Sequence, residues 1–216
     1  MQIREFHWSD TPRIIEMIDH VWHLDQMFGN KTNGMIFSQE YFYDVLNHST
    51  QVFVSFHEQE LTGFIALNIQ GHDYLTIPQQ YQDMLDHQHS DFHKINSYRQ
   101  KIKKYHQDCS SLFQQIHQKY DAEIVLFIVD EKYQHQGIGT RMYTFSEDIL
   151  KEQGCQNYML YTDSMCSFSF YDAHQMKLLA SYQKEKDFTI YLYGKELYLW
   201  SIDSYHMEMK KSVLLV

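Results

Sequence analysis

An α/β fold is what this sequence predicts, and three observations carry the prediction. Two apolar runs, residues 51–56 and 61–69, flank a short polar turn of Glu58, Gln59 and Glu60, the pattern of a β-hairpin. An apolar strand over 123–129 leads through a glycine turn into an amphipathic helix over 138–153, then into a second strand at 158–162. Ahead of both, Ile14, Ile15, Ile18, Val21 and Trp22 recur at the spacing of one buried helix face.

Taken in chain order, residues 2–8 read as a strand. Ser9 or Asp10 can cap the first helix, whose first turn holds Pro12, a position where a missing N–H costs nothing. A second helix is expected over 38–46, with Ser38 as its cap and Phe42, Tyr43 and Leu46 on its buried side. The hairpin follows. From about residue 78 to 120 the chain turns rich in Gln, His and Lys, with Phe92, Ile95, Ile102, Tyr105, Cys109, Leu112, Phe113 and Ile116 spaced for helices. In the helix over 138–153, Ile138, Met142, Phe145 and Ile149 form the core stripe and Gly154 supplies the stop. A short helix at 168–175, strands at 178–183 and 188–193, and a last strand within 197–216 complete the pattern. That last strand would offer an edge for a homodimer.

Composition bounds the function. The 216 residues suit one domain, residues 1–216, with 44% hydrophobic and 21% charged residues, which excludes disorder and low-complexity assemblies. No stretch is long and apolar enough to span a membrane and no signal sequence opens the chain, so a cytoplasmic protein without a membrane anchor is expected. Cys109, Cys155 and Cys166 are odd in number and lack CxxC spacing, against both a disulfide framework and a zinc site. The formal charge of −10 disfavours nucleic acid as a partner and favours a cationic one. One segment runs against that charge: between Phe92 and Tyr120, six Lys and Arg residues stand against Asp108 alone. His87, His89 and His93 cluster without an acidic or cysteine partner at a recognised metal spacing, so no metal is expected.

The segment Gln134-His135-Gln136-Gly137-Ile138-Gly139-Thr140 lies between an apolar strand and an amphipathic helix. Backbone N–H groups and the helix dipole attract phosphate at such a place, and glycine lets the backbone come close. A Walker loop would need Lys and then Ser or Thr after the second glycine, where Thr140 and Arg141 stand. A dinucleotide fingerprint would need a third glycine at Met142.

What fits is Gln/Arg-x-x-Gly-x-Gly/Ala after the strand Glu123-Ile124-Val125-Leu126-Phe127-Ile128-Val129-Asp130, and with these residues the sequence resembles the GNAT superfamily of acyl-CoA-dependent N-acyltransferases. The match is clearest over residues 122–180. The resemblance implies a mixed, mostly antiparallel central sheet flanked by helices, with residues 72–121 as a helical insertion between the third and fourth strands. It implies acetyl-CoA as cosubstrate, with the amides of Gln136, Gly137, Ile138, Gly139 and Thr140 around the pyrophosphate and Gln134 and His135 in the same turn. The strand edge at Phe127, Ile128 and Val129 would pair with the pantetheine arm, and the Phe127 N–H would polarise the acetyl carbonyl. Ser164 and Ser167, standing where the family usually has Asn and Ala, are expected beside the cofactor.

Acyl transfer to an amine needs a neutral nitrogen, a stabilised oxyanion and a proton for the departing thiolate. Tyr171, in Ser167-Phe168-Ser169-Phe170-Tyr171-Asp172-Ala173-His174, resembles the family tyrosine placed near the thioester sulfur, although Gln175-Met176 replaces its usual Gly-Phe. Glu123, fourteen positions before Gly137, resembles the general-base glutamate of histone-acetylating relatives. The implied reaction is acetyl transfer to a primary amine of a small molecule or peptide by direct attack. Two other readings stay open on the sequence: an acyl-CoA sensor without turnover, and an interaction module built on the basic segment.

Overall fold

The computed structural model describes residues 1–81 and 93–198. Its centre is a seven-stranded sheet built from β1 (Gln2–Glu5), β2 (Gln51–His57), β3 (Glu60–Ile69), β4 (Ala122–Val129), β5 (Asn157–Asp163), β6 (Lys177–Glu185) and β7 (Phe188–Glu196), in the order β1-β2-β3-β4-β5-β7-β6. Every neighbouring pair is antiparallel except β4 with β5. The helices are α1 (Thr11–Val21), α2 (Leu24–Phe28), α3 (Lys31–Asn47), α4 (His93–Phe113), α5 (Ile138–Glu152) and α6 (Ser169–Ala173). No helix among the described residues is long and apolar enough to cross a membrane.

Alternation along the strands sends side chains to two faces. On one face α1, α2 and α3 bury Ile14, Ile18, Phe37, Phe42 and Leu46 against Val52, Val54, Phe64 and Ala66. On the other, α5 buries Ile138, Met142, Tyr143 and Leu150 against Phe53, Ile65, Leu67, Ile124 and Tyr158. The α4 helix covers the far half of the first face, where Cys109 and Leu112 meet Met159, Ile190 and Leu192. It is tied at both ends: Arg99 forms a two-pronged pair with Glu40 of α3, and the buried carboxylate of Asp108 meets Lys184 of β6 at 3.0 Å.

Two expectations need correction at the amino-terminal end. β1 stops at Glu5 rather than near residue 8, because Trp8–Asp10 forms a 3-10 turn whose Asp10 carboxylate takes the His7 N–H and two bonds from Arg4, each at 2.8 Å. Asp10 occupies the cap position of α1, yet its side chain serves Arg4 and not the helix amides. The second predicted helix begins earlier, at Lys31, capped by Asn30, whose side chain accepts from the Asn33 N–H at 2.8 Å. Ser38 is therefore a buried interior residue, with its hydroxyl donating to the Gly34 carbonyl at 2.9 Å. Asn33, Gly34 and Ser38 are weak helix formers, so packing and not local propensity holds this part of α3. α2 was not expected at all.

Gly63 of β3 fixes how α5 lies on the sheet. A methyl group there would stand 2.7 Å from the Ile128 carbonyl oxygen and 3.0 Å from the Met142 sulfur. The carbonyl is backbone and cannot move aside cheaply. Gly63→Ala should therefore destabilise the protein by about 1–3 kcal/mol, read as a lower midpoint in urea with an unchanged slope.

Candidate active site

The site begins where two strands part. β4 and β5 are in register at only three positions, Ala122 with Tyr158, Glu123 with Met159 and Ile124 with Leu160. Beyond them β4 continues along β3 to Val129, and β5 continues along β7 to Asp163. The parting coincides with a bulge: Ala66 pairs with Leu126 and Leu67 with Ile124, so Val125 is the extra residue. Bulges sharpen strand twist and end pairing. The β5-facing edge of β4 from Val125 to Val129, which includes Phe127 and Ile128, thus has no strand beside it among the described residues and forms one wall of a slot.

At the end of that edge the chain enters the glycine loop. Asp130 accepts from the Lys132 N–H at 3.0 Å and pairs with Arg13 of α1, which anchors the 3-10 turn Glu131–Tyr133. The side chains of Gln134 and Gln136 brace the turn by donating to the carbonyls of Val129 and Lys132 at 3.1 and 3.0 Å. His135 has φ 58° and Gly137 φ 78°, both left-handed, and the His135 side chain is exposed. α5 then starts with no side-chain cap. The first-turn amides of Ile138, Gly139 and Thr140 are those an α-helix leaves without internal partners. A cradle of free N–H groups beside an open strand edge suits a pyrophosphate with an extended amide-bearing arm.

A side chain at Gly137 would meet nothing within 4 Å, so space is not what excludes one. The dihedral is. A β-branched residue strains in the left-handed region by about 1–2 kcal/mol. Gly137→Val is expected to weaken CoA binding roughly tenfold through a reshaped turn, measured by calorimetric titration of CoA.

Tyr171 is carried by α6, on the α5 face of the sheet. Its half-buried ring packs against Phe170 at 5.5 Å, Tyr193 at 5.9 Å and Tyr143 at 6.5 Å. Its hydroxyl makes no hydrogen bond among the described residues, and burial, reinforced by the nearby Cys166, pushes the phenol above its ordinary value. The short helix is held by Tyr193 donating to Asp172 at 2.9 Å and by Lys195 donating to the His174 carbonyl at 2.8 Å. Gln175 sits at φ 62°, the conformation that favours glycine. The backbone there keeps the shape for which the resemblance expects glycine. Gln175→Gly should accordingly raise stability, by up to about 1 kcal/mol, in thermal melts.

Glu123 lies on the opposite face, the side roofed by α4. Its carboxylate is half-buried and makes no hydrogen bond or ion pair among the described residues. Burial raises it to about 7, against a smaller opposing pull from His48. Ser164 is committed elsewhere: its hydroxyl donates to the Asp187 carbonyl at 3.2 Å and accepts from the Thr189 N–H at 3.1 Å. Ser167 is exposed in the turn before α6. His87 and His89 lie outside the described residues, as does nearly all of the tail over 197–216. Among the described residues no group of three His, Cys, Asp or Glu side chains is placed to hold a metal ion.

The structure adds residues that the sequence reading missed. Tyr161 and Asp163 of β5, Tyr41 of α3, and Tyr105 and Cys109 of α4 gather around the face of β5 next to Glu123, and burial raises the phenols and the Cys109 thiol, the latter to about 12. All but Cys109 keep some exposed surface, as the lining of a recess does. The alternation Tyr161-x-Asp163 on one strand face was the available signal. A groove of about 650 Å³ between α3 and α4, lined by Tyr41, Asp44, Arg99 and Lys103 among others, adjoins this region. A second, of about 730 Å³ between α1 and α3, touches none of the site residues.

Residues 17–171 match the acetyltransferase (GNAT) family, and the chain belongs to it. Solved structures agree on the fold. The PaiA N-acetyltransferase of Thermoplasma acidophilum, in complex with coenzyme A, superposes with a TM-score of 0.53 at 17% identity over 90% of this chain and 98% of its own. An aminoglycoside 6'-N-acetyltransferase complexed with coenzyme A gives 0.55 at 12% identity over 92% and 98%. The ribosomal-protein-S18-alanine N-acetyltransferase of Escherichia coli gives 0.51 at 10% identity over 94% and 97%. No curated protein matches the sequence significantly.

Proposed function

We propose that this protein transfers the acetyl group of acetyl-CoA to a primary amine by direct attack. The observation that carries the reading is an unpaired, half-buried carboxylate raised to about 7 on one face of the sheet, just before β4 parts from β5, with an unbonded tyrosine hydroxyl on the other face. A base poised near neutral pH takes a proton from an ammonium without remaining protonated itself. In this reading Glu123 supplies the neutral amine, directly or through water, and the Phe127 N–H polarises the acetyl carbonyl. Tyr171 gives a proton or hydrogen bond to the departing thiolate. The first-turn amides of α5, with Gln136 and Gly137 ahead of them, hold the pyrophosphate; the β4 edge at Phe127, Ile128 and Val129 holds the pantetheine arm. Residues 72–121 are the segment we assign to acceptor choice, since α4 roofs the side from which the amine approaches.

Two observations weigh against the other readings. The left-handed backbone at Gln175 preserves the turn behind Tyr171, which a sensor without turnover has no need to keep. The basic segment is partly spent inside the fold, with Arg99 on Glu40 and Lys104 on Asp108. The test is CoA thiol release from acetyl-CoA in the presence of primary amines at pH 8. Release that depends on the amine supports the reading, and binding of acetyl-CoA without any amine-dependent release contradicts it.

A further inference from the structure

The recess beside Glu123 contains a second carboxylate that acetyl transfer does not itself require. Glu123 is level with Met159, and Met159, Tyr161 and Asp163 alternate onto the same face of β5. Asp163 stands four residues farther along, about 13 Å at the usual rise per strand residue. Tyr161 lies between the two carboxylates. Tyr105 and Cys109 of α4 and Tyr41 of α3 close over them, with Asp163 acting on all three and Glu123 acting on Tyr161 and Cys109.

The charge of this recess is not balanced from within. The charged and ionisable groups acting on Tyr41, Tyr105, Tyr161 and Cys109 are carboxylates, thiols and phenols, without a Lys or Arg. Asp163 accepts from the Met165 N–H at 2.8 Å and has the Cys166 thiol against it, but forms no ion pair among the described residues. The base acting on Glu123 is His48, an exposed ring bonded to the Asp44 carbonyl at 2.7 Å. On α4, Arg99 and Lys104 are engaged with Glu40 and Asp108, and Lys103 lines the outer groove. Half-buried carboxylates without counter-ions are costly, and phenol rings attract cations. A ligand that brings one cation to each end of the recess relieves both.

We propose that the acceptor is a linear compound with two ammonium groups, one delivered to Glu123 and acetylated, the other held on Asp163 between Tyr41 and Tyr105. This deepens the reading of Glu123 as the base and rests on it. The reacting nitrogen loses one proton to Glu123 before its lone pair attacks the acetyl carbon. Its carbon–sulfur bond to CoA then breaks, the thiolate takes up a proton from Tyr171, and the nitrogen's second proton restores the tyrosine. The distal ammonium keeps its charge throughout.

The test compares 1,6-diaminohexane with hexylamine, which match in length and differ in the second ammonium. With saturating acetyl-CoA, KM for the diamine should be lower by about tenfold or more, as a charge-assisted contact implies. Asp163→Asn, which keeps an acceptor for the Met165 N–H, should remove that advantage while leaving KM for hexylamine and for acetyl-CoA unchanged. Equal KM values for the two amines, or an equal rise for both in Asp163→Asn, would overturn the proposal while leaving Glu123 as base. If neither amine releases CoA although acetyl-CoA binds, both readings fall.

Discussion

Glu123→Gln is expected to lower turnover by roughly 10²- to 10³-fold, the range of a lost general base, and at the same time to stabilise the protein above neutral pH. The two effects have one cause. Burial lifts the Glu123 carboxyl from 4.5 to about 7, so below about pH 4.5 it is protonated in both folded and unfolded chains and carries no penalty. Between those values the unfolded chain releases its proton while the folded one retains it. Above pH 7 the folded state carries a desolvated charge, and the stability present at low pH has been lost, by at most about 3–4 kcal/mol. Glutamine has no such charge. Its variant should melt higher than the parent at pH 8 and equally at pH 4, and should lose the limb of the rate profile that rises through about pH 7. A glutamate with a merely structural role would destabilise when replaced and leave that limb in place.

Tyr171→Phe should lower turnover roughly a hundredfold, at the low end of the range for a positioned proton donor, and leave the affinity for CoA nearly unchanged. The ring packs against Tyr143, Phe170 and Tyr193 whether or not it carries a hydroxyl, so the fold should tolerate the change. Burial keeps the phenol protonated across the range in which Glu123 titrates. The rate profile should therefore show one rising limb from the carboxylate and no fall from the tyrosine near neutral pH. Single-turnover rates beside equilibrium CoA binding separate the two quantities. Equal losses in both would make Tyr171 a packing residue.

Much of this was legible in the sequence because it is local. The hairpin of β2 and β3, and the run from β4 through the glycine loop and α5 to β5, each announce themselves within a few dozen residues by periodicity and turn chemistry. The loop could be proposed from its glycines between strand and helix, and Glu123 only through its resemblance to the family's general-base glutamate. The start of α3 could not, because Asn33, Gly34 and Ser38 oppose the helix that tertiary packing imposes. Nor could the slot, since the bulge at Val125 and the early end of β4–β5 pairing exist only as register between separated strands. The recess beside Glu123 joins Tyr41, Tyr105 and Asp163 from three distant parts of the chain, and no local pattern links them. Gln175 shows the reverse case: its identity departs from the glycine the resemblance expects while its backbone keeps the left-handed turn.

The most direct measurement incubates the purified protein and its Glu123→Gln variant with acetyl-labelled acetyl-CoA and a whole-cell extract, then separates small molecules, proteins and unreacted cosubstrate. Label should appear in a small amine or a peptidyl amine with the parent protein and little with the variant. Label that stays in intact, protein-bound acetyl-CoA with both would contradict acetyl transfer to an amine and make the protein a sensor of that thioester.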